Sequence, residues 1–380
     1  MEISPQPTNK AIWLSSYEEP PSLVKLPIPQ ATAGAVVIRV LATAIVPYTH
    51  LVHSGKLPQL NMNLPLVPNP NAVGRIFAVG PDAVNVKVGD LVYTDATVRA
   101  RDDPSVMIMS GHHGGEGASG QKLMQGEWRD GSLQQFQKVP LENVYRLEEN
   151  KLVHGLGYSP SILQSIAHYS VAGGAIIEAA DVKVAETVVI GPSSGSFGGL
   201  AVELALLLGA NVIALGRSES KLVAMKEKLN NHPRLHYVVM TGDVALDMEA
   251  ILRTTPNGAG ADVYNDWTPG KVASPPFLPA AARAMKRKGR LVLSGGSPGS
   301  LDIPYAFIVH KDLQVKGKWM CERKTLLQLI NMIEMGQLKI GIESGTEITS
   351  YSLDELEKAV EYASKNGSWR NYTVVEPNIE

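Results

Sequence analysis

Residues 187–215 read TVVIGPSSGSFGGLAVELALLLGANVIAL, and this stretch decides the fold. Its two ends, 187–190 and 212–215, are short apolar runs of the kind that form buried strands. Between them apolar residues recur at helical spacing, and a glycine follows where a helix would end; these residues are Leu200, Leu204, Leu207, Leu208 and Gly209. The order of strand, glycine turn, helix and strand predicts a βαβ unit.

The glycine turn of this unit has the composition of a phosphate-binding loop. Glycine at positions 195 and 198 lets a dinucleotide pyrophosphate approach the backbone at a helix N-terminus, where N–H groups and the helix dipole favour negative charge. The hydroxyls of Ser193 and Ser194 add groups that reach phosphate. The turn therefore predicts cofactor contacts from Ser193, Ser194, Gly195, Ser196, Phe197 and Gly198. The alternative is an ordinary tight turn.

The end of the second strand predicts which dinucleotide binds. An NAD site usually places an acidic residue there to accept hydrogen bonds from the ribose hydroxyls, but this chain has Gly216, then Arg217 and Ser218, with Lys221 one turn later. Without a carboxylate a 2′-phosphate is not repelled, and a guanidinium is a forked, charged partner for it. We therefore expect NADP(H) rather than NAD(H). The alternative is that Ser218 caps the next helix and Arg217 is solvated.

Composition indicates a globular protein with no affinity for nucleic acid or membrane. The 380 residues suit two domains, with 44% hydrophobic and 19% charged residues. A formal net charge of −2 without a basic block argues against nucleic-acid binding, and no apolar run is long enough to span a membrane. The single cysteine, Cys321, excludes an internal disulfide and a cysteine zinc cluster. We expect a cytoplasmic protein with a small-molecule substrate.

The N-terminal part of the chain predicts a β-rich domain. Four strand patterns are separated by Pro and Gly; they lie at 11–14, 35–44, 73–79 and 91–93. Residues 99–130 are polar, Gly-rich and poorly periodic, so we interpret them as a long loop or lid. The C-terminal segment, with a helix beginning near 351–356 and a strand at 372–375, is expected to return to this domain.

From about residue 160 the pattern alternates between strand and helix. Further strands are predicted at 237–240, 262–265, 291–293 and 313–319, and helices at 279–288 and 323–335. This alternation is the signature of a doubly wound parallel sheet in an α/β fold. The predicted domains are therefore 1–160 with 321–380, and 161–320 for the dinucleotide.

Ligands of such sheets bind beyond the carboxyl ends of the strands. This rule places Asp266, Ser294, Gly295 and Gly296 near the cofactor. Each of them is equally compatible with an ordinary turn.

The order of these parts resembles the medium-chain dehydrogenase/reductase superfamily. The resemblance is carried by the β-rich first domain, the Lys87-Val88-Gly89-Asp90 turn, the loop with Gly195 and Gly198, and the returning C-terminal segment. It implies a GroES-like catalytic domain and a Rossmann domain that binds the nicotinamide dinucleotide. It also implies a homodimer that pairs through the 313–319 strand.

The chain departs from the zinc-binding members of this superfamily. The places of their three zinc ligands fall at Val46, at Pro70 and near Ile166, and these side chains cannot bind zinc. It therefore resembles the zinc-free branch that contains quinone and enoyl reductases. We expect the adjacent His112 and His113 to be solvated rather than metal ligands.

The resemblance also implies catalytic and further cofactor residues. Tyr48 occupies the place of a hydroxyl that relays the substrate proton, and His168 is a second candidate for the proton donor. Ser170 matches a position that lines the nicotinamide, and Arg370 matches an arginine that clamps the pyrophosphate. A surface arginine is the alternative for Arg370.

The functional hypothesis is an NADPH-dependent, zinc-independent oxidoreductase that transfers hydride to an activated C=C bond or a quinone of a small apolar molecule. Conjugation spreads the charge that a zinc ion would otherwise stabilise. One alternative is a carbonyl or imine reductase or an alcohol dehydrogenase of secondary metabolism. Another is a non-redox nucleotide-binding protein that retains the fold.

Overall fold

The computed structural model describes residues 8–378, and contacts within the chain divide it into two compact units. Unit 1 comprises the residues up to Ala167, Ile340–Gly367 and the residues from Asn371 onward. Unit 2 comprises His168–Lys339 and Ser368–Arg370.

The described residues form seventeen strands. They are β1 Thr8–Trp13, β2 Ser22–Pro27, β3 Ala35–Ile45, β4 Ala72–Val79, β5 Leu91–Thr94, β6 Thr97–Arg99, β7 Met107–Met109, β8 Phe136–Pro140, β9 Val144–Arg146, β10 Thr187–Gly191, β11 Asn211–Gly216, β12 Leu235–Val239, β13 Ala261–Asp266, β14 Met285–Leu293, β15 Gln314–Gly317, β16 Glu347–Ser352 and β17 Asn371–Glu376.

The α-helices of the same part of the chain are α1 Thr49–His53, α2 Gly117–Gln125, α3 Pro160–Leu163, α4 Ile166–Gly173, α5 Ser196–Leu207, α6 Glu219–Lys228, α7 Val244–Thr254, α8 Leu278–Arg283, α9 Tyr305–His310, α10 Arg323–Glu334 and α11 Leu356–Asn366. Two π-helical segments occur at Asn150–Gly155 and Gly174–Ala179. Short 3-10 turns occur at Pro58–Leu60, Leu141–Asn143, Pro256–Gly258, Ile342–Ser344 and Leu353–Glu355. No helix among residues 8–378 is both long enough and apolar enough to cross a membrane.

Unit 1 is built on a mainly antiparallel sheet of seven strands. Its order is β16-β17-β3-β4-β5-β9, and β8 pairs with β3. Strand β3 is buried along nearly its whole length because β4, β8 and β17 all pair with it. One core cluster joins β3, β4, β5, β8 and β9 through Val36, Ile38, Val40, Ala72, Ile76, Val92, Val139 and Val144.

The interpretation of residues 99–130 as one long loop was wrong. The segment contains β7, which pairs with β6, and the nine-residue helix α2. Ile108 of β7 and Met124 of α2 are fully buried and pack in a core cluster with Leu14, Leu66 and Val98. Few apolar residues anchor the segment, so its periodicity is weak, and these tertiary contacts determine its structure.

Unit 2 contains a six-stranded parallel sheet. Its strand order is β12-β11-β10-β13-β14-β15. From β10 the chain adds strands first on one side and then, from β13 on, on the other, as in doubly wound dinucleotide-binding sheets. Strand residues Val189, Ile213, Tyr264 and Leu291 pack with α7 and α8 in one buried core. The predicted α/β fold, with a Rossmann sheet and a β-rich GroES-like part, is confirmed.

Two helix predictions need correction. The helix predicted at 279–288 ends at Arg283, and β14 begins at Met285. Strand β14 pairs with the neighbouring strands β13 and β15, and this pairing overrides the helix propensity of its Lys and Arg residues. The last helix begins after 351–352, which belong to β16; Ser352 and Glu355 form a capping box before α11.

The units also end at residues other than the predicted boundaries. Residues 321–339, assigned from the sequence to the first domain, belong to unit 2. The reason is that the apolar side of α10, with Leu326 and Leu329, is buried in that unit. Leu329 contacts the backbone region of Gly173, which also lies there.

Candidate dinucleotide site and acid–base residues

The glycine loop connects β10 to α5, and two of its glycines are required by the chain itself. A Cβ on Gly198 would lie 2.1 Å from the carbonyl oxygen of Pro192. A Cβ on Gly199 would lie 2.2 Å from Cγ of Trp369. These distances are far below van der Waals contact, so both glycines permit close packing around the first turn of α5.

Gly195 differs because nothing in the chain requires it to be glycine. It is the N-cap residue of α5, is exposed, and has φ −78° and ψ 168°, which any residue adopts. A Cβ added here would meet no heavy atom within 4 Å. Helix α5 has twelve residues and no acidic residue in its first turn, and the space beside Gly195 at its N-terminus is open, which suits a phosphate.

The serines of the loop have different environments. Ser193 is fully buried and its Oγ donates to the carbonyl oxygen of Leu215 at 3.0 Å, so it attaches the loop to β11 rather than reaching outward. Ser194 and Ser196 are half-buried, as is Phe197.

Strand β11 ends at the buried Gly216, and the chain reaches the surface directly after it. Arg217 and Lys221 are exposed, and no carboxylate of the described residues pairs with either of them. Ser218 is the N-cap residue of α6, but its side chain makes no capping bond and instead lies 3.0 Å from Oγ of Ser220. The capping alternative for the Ser218 hydroxyl is therefore wrong.

The carboxyl ends of β13 and β14 are joined by backbone hydrogen bonds, from Ser294 N to the Asp266 carbonyl oxygen at 3.0 Å and from Gly296 N to the Thr268 carbonyl oxygen at 2.9 Å. Asp266, the last residue of β13, accepts from Tyr264 Oη at 2.7 Å and from Thr268 N at 2.9 Å and Thr268 Oγ1 at 3.1 Å. Burial raises the pKa of its carboxyl. Gly295 and Gly296 follow β14; a Cβ on Gly295 would lie 2.3 Å from the Thr268 carbonyl oxygen. Asp266, Gly295 and Gly296 all lie at the predicted edge of the sheet, but the Asp266 carboxylate accepts its hydrogen bonds from residues of its own strand and loop.

Three aromatic rings lie beside this edge in unit 2. The rings of His168 and Phe197 are 5.9 Å apart, and Phe197 stacks on Trp267 at 5.8 Å. Burial lowers the pKa of His168 to about 4, so its imidazole is neutral at pH 7. Ser170 is buried two residues later on α4. Trp267 was not among the predicted site residues, although a tryptophan two residues after a predicted strand end is a usable signal.

Arg370 is buried in an ion pair, so the surface alternative is wrong. Its Nε donates to Oε1 of Glu203 at 2.9 Å, and its guanidinium lies 4.8 Å from the ring of Trp369. Trp369 Nε1 donates to the same carboxylate, and Tyr169 Oη donates to Glu203 Oε2 at 2.7 Å. Glu203 was not among the predicted site residues either, and a lone carboxylate within an otherwise apolar helix was the signal for it.

The other predicted acid–base group, Tyr48, lies in unit 1 beside histidines. Burial raises the pKa of its phenol to about 12. The rings of Tyr48 and His112 are 6.4 Å apart, and burial with the nearby His113 and His53 lowers the pKa of His112 to about 4. The expectation that His112 and His113 are solvated was wrong: both are half-buried, and His113 Nδ1 accepts from Gly115 N at 3.0 Å.

Comparison with known families matches both parts of the chain. The alcohol dehydrogenase GroES-like domain family matches residues 32–149, and the zinc-binding dehydrogenase family matches residues 197–335. Together these two matches cover more than half of the sequence.

The chain is a medium-chain dehydrogenase/reductase.

Curated relatives of this medium-chain dehydrogenase/reductase include alcohol dehydrogenases and a reductase. An alcohol dehydrogenase of Geobacillus stearothermophilus is 23% identical over 340 residues, 88% of this chain and 91% of the relative. An acryloyl-coenzyme A reductase of Sulfurisphaera tokodaii is 23% identical over 370 residues, 94% of this chain and 98% of the relative.

Solved structures share the fold. A crystal structure of an NAD-dependent alcohol dehydrogenase has a TM-score of 0.75 at 19% identity and covers 97% of this chain and 100% of its own. A zinc-binding dehydrogenase from Sinorhizobium meliloti 1021 bound to NADP also has a TM-score of 0.75, at 20% identity, covering 98% and 100%.

The residues of this medium-chain dehydrogenase/reductase do not fit the zinc ion that its family name implies. By the resemblance, the three ligand places fall at Val46, at Pro70 and near Ile166, and these side chains offer no donor atom. Within residues 8–378, no group of three or more His, Cys, Asp or Glu residues is arranged to hold a metal ion.

Proposed function

We propose that this medium-chain dehydrogenase/reductase is an NADPH-dependent, zinc-independent reductase of an activated C=C bond or a quinone in a small, largely apolar molecule. The observation that carries the proposal is Gly195, which leaves the N-terminus of α5 open although the chain does not need glycine there. When bound, the reduced nicotinamide supplies the hydride.

The preference for NADP(H) is supported by the residues after β11. The usual acidic residue is replaced by Gly216, and the exposed Arg217 and Lys221 supply positive charge without a competing carboxylate partner among the described residues. A guanidinium binds a phosphate through paired, charge-assisted hydrogen bonds. The dehydrogenase from Sinorhizobium meliloti 1021 that shares the fold is bound to NADP, which agrees with this choice.

The type of acceptor follows from the residues at the zinc ligand places. A plain ketone develops charge on one oxygen, and zinc-dependent enzymes stabilise that charge with the metal. Val46, Pro70 and Ile166 supply no such ligand set, so an acceptor whose conjugation spreads the charge suits this chain better. A relative named acryloyl-coenzyme A reductase supports a C=C acceptor.

Tyr48 is the proposed proton donor. With a pKa near 12, its phenol retains its proton throughout the neutral range and can donate it to the carbanion or oxyanion left by hydride transfer. His168 is the second candidate, acting as a neutral imidazole because its pKa is near 4. Ser170 is proposed to line the nicotinamide, as the resemblance implies.

The second candidate function is a carbonyl or imine reductase or an alcohol dehydrogenase. It is favoured by the names of several relatives, which are alcohol dehydrogenases. A non-redox nucleotide-binding protein is the third, and it would bind NADPH without consuming it.

One experiment separates these functions. NADPH and NADH are titrated into the purified protein, and steady-state oxidation of NADPH is then measured with enones, quinones, ketones and imines, with and without added zinc. Turnover of enones or quinones without zinc supports the leading proposal. Turnover of ketones alone, or a stoichiometric requirement for zinc, contradicts it.

We also propose a homodimer in a reducing, cytoplasmic compartment. Strand β15 is an edge strand of the unit 2 sheet, and two large apolar side chains in it or two residues after it are exposed, Val315 and Trp319. Pairing of two such edges would cover them. The single cysteine, Cys321, is buried, which agrees with a reducing location.

A further inference from the structure

Helix α5 carries a carboxylate on its buried side. Glu203 is 7% exposed and accepts three hydrogen bonds, from Tyr169 Oη to Oε2 at 2.7 Å, from Arg370 Nε to Oε1 at 2.9 Å, and from Trp369 Nε1 to Oε1. A carboxylate at this depth is unfavourable unless donors surround it. Its bonds therefore couple three side chains to one helix.

The same helix surface receives the ring of Trp369. Gly199 precedes Glu203 by four residues, so the two lie on one face, one turn apart. A Cβ on Gly199 would lie 2.2 Å from Cγ of Trp369, which shows that the indole rests directly on the helix backbone. The indole is thus held by backbone contact at Gly199 and by a hydrogen bond at Glu203, next to the turn that begins at Gly195.

Trp369 and Arg370, two of the three donors to Glu203, lie in a three-residue segment that belongs to a different unit from its neighbours in sequence. Ser368–Arg370 belongs to unit 2, whereas Gly367 and Asn371 on either side belong to unit 1. Arg370 has φ +59°, in the left-handed region that is sparsely populated by residues other than glycine. Such a backbone persists where surrounding contacts determine it, and the Glu203 bonds to residues 369 and 370 are contacts of this kind.

We propose that Glu203 is a positioning residue for the dinucleotide pyrophosphate. It fixes Trp369 against the first turn of α5 and, by accepting from the inner nitrogen Nε, sets the direction of the Arg370 guanidinium. Its effect is on the affinity for the diphosphate part of the cofactor and not on the chemical step. The inference rests on the proposed dinucleotide site.

The test compares two ligands in two variants. Glu203→Gln keeps the volume and one acceptor oxygen but removes the charge, and Trp369→Phe keeps a ring but removes the N–H donor. The probes are NADPH, which contains the pyrophosphate, and 2′-AMP, which lacks it and uses the Arg217 end alone. We expect the Kd of NADPH to rise about tenfold or more in Glu203→Gln, and less in Trp369→Phe, with the Kd of 2′-AMP unchanged. In Glu203→Gln the KM for NADPH should also rise, whereas kcat at saturating NADPH should stay at the wild-type value.

Glu186→Gln is the matched control. Glu186 accepts from Arg290 Nη2 at 2.5 Å in a partly buried ion pair of unit 2, next to the first residue of β10 and so at the amino end of the sheet. The Glu186→Gln variant should have a lower melting temperature than the wild type and the same Kd values for NADPH and 2′-AMP.

Two results would overturn the inference: an unchanged Kd of NADPH in Glu203→Gln, or equal weakening of NADPH and 2′-AMP, which would indicate a loosened unit and no positioning role. Failure of the wild-type protein to bind either probe would instead reject the dinucleotide site, and this inference with it.

Discussion

Gly198 packs so closely on Pro192 that a Cβ at position 198 would lie 2.1 Å from the Pro192 carbonyl oxygen. Three residues earlier, Gly195 has no such neighbour. We therefore expect Gly198→Ala to reduce stability, by about 1 to 3 kcal/mol, because the loop must shift. Gly195→Ala should leave the melting temperature unchanged but raise the Kd of NADPH at least tenfold, because the methyl group occupies the phosphate approach.

Thermal melting and NADPH titration of both variants check this prediction. If Gly195→Ala binds NADPH as the wild type does, the glycine loop is not the pyrophosphate site.

Replacement of Arg217 should change the choice of cofactor. Arg217→Ala removes the exposed guanidinium that follows β11, so the Kd of NADPH should rise roughly tenfold to a hundredfold, the range expected for a charge-assisted bond. The Kd of NADH should change little, since NADH has no 2′-phosphate. Arg253→Ala, which removes another exposed arginine of unit 2, serves as the control and should alter neither value. Equal loss for both dinucleotides would refute the assignment of Arg217.

Removal of the Tyr48 hydroxyl should slow turnover without affecting cofactor binding. General-acid groups contribute about a hundredfold or more to rate, so we expect kcat of Tyr48→Phe to fall by at least that factor while the Kd of NADPH is retained. Because the pKa of Tyr48 is about 12, the donor stays protonated through neutral pH and its loss should limit turnover only in strongly alkaline solution. Tyr362→Phe in α11 is the matched control. Unchanged turnover in Tyr48→Phe would remove this residue from the mechanism.

Three histidines with lowered pKa values should make the protein less stable in mild acid. Burial lowers the pKa of His53, His112 and His168 to about 4, against about 6.5 in the unfolded chain. Between these values the unfolded state binds more protons, so the three histidines do not affect stability above about pH 6.5 and lower the free energy of unfolding as pH falls from 6.5 towards 4. Burial raises the pKa of Asp95 to about 6, so this carboxyl has the opposite effect on how the free energy of unfolding changes with pH.

Urea unfolding at pH 7 and pH 5 measures this effect. We expect His53→Gln to lose about 2 kcal/mol less free energy of unfolding over this interval than the wild type. Identical losses in the two proteins would show that His53 does not titrate between its folded and unfolded states as described.

The proposed dimer makes a separate prediction about mass. Val315 is 39% exposed on the edge strand β15, and a lysine there would place charge in the paired edge. By light scattering, Val315→Lys should have half the mass of the wild type. Val184→Lys, at a site 77% exposed outside that strand, should retain the wild-type mass. A monomeric wild-type protein would contradict the proposal.

Local patterns were enough to predict the dinucleotide-binding half of the fold. Residues 187–215 form β10, α5 and β11 as expected, and Gly209, with φ +91°, follows the helix in the left-handed conformation that favours glycine. The signal is strong because each element has a single period and a clear end. Residues 285–288 show the opposite case, in which the local pattern is misleading. Their Lys and Arg residues favour a helix, but the segment is part of a strand because β14 pairs with β13 and β15.

The sequence by itself determined the βαβ unit and the missing acidic residue after β11, since both depend on residue type and short spacing. Only the tertiary structure decided which glycine leaves open space beside it. It also decided that Arg370 pairs with Glu203, 167 positions away in the sequence, and that His112 lies beside Tyr48. Those relationships join residues that are distant in the chain, and burial and hydrogen bonding between such residues arise only when the elements pack.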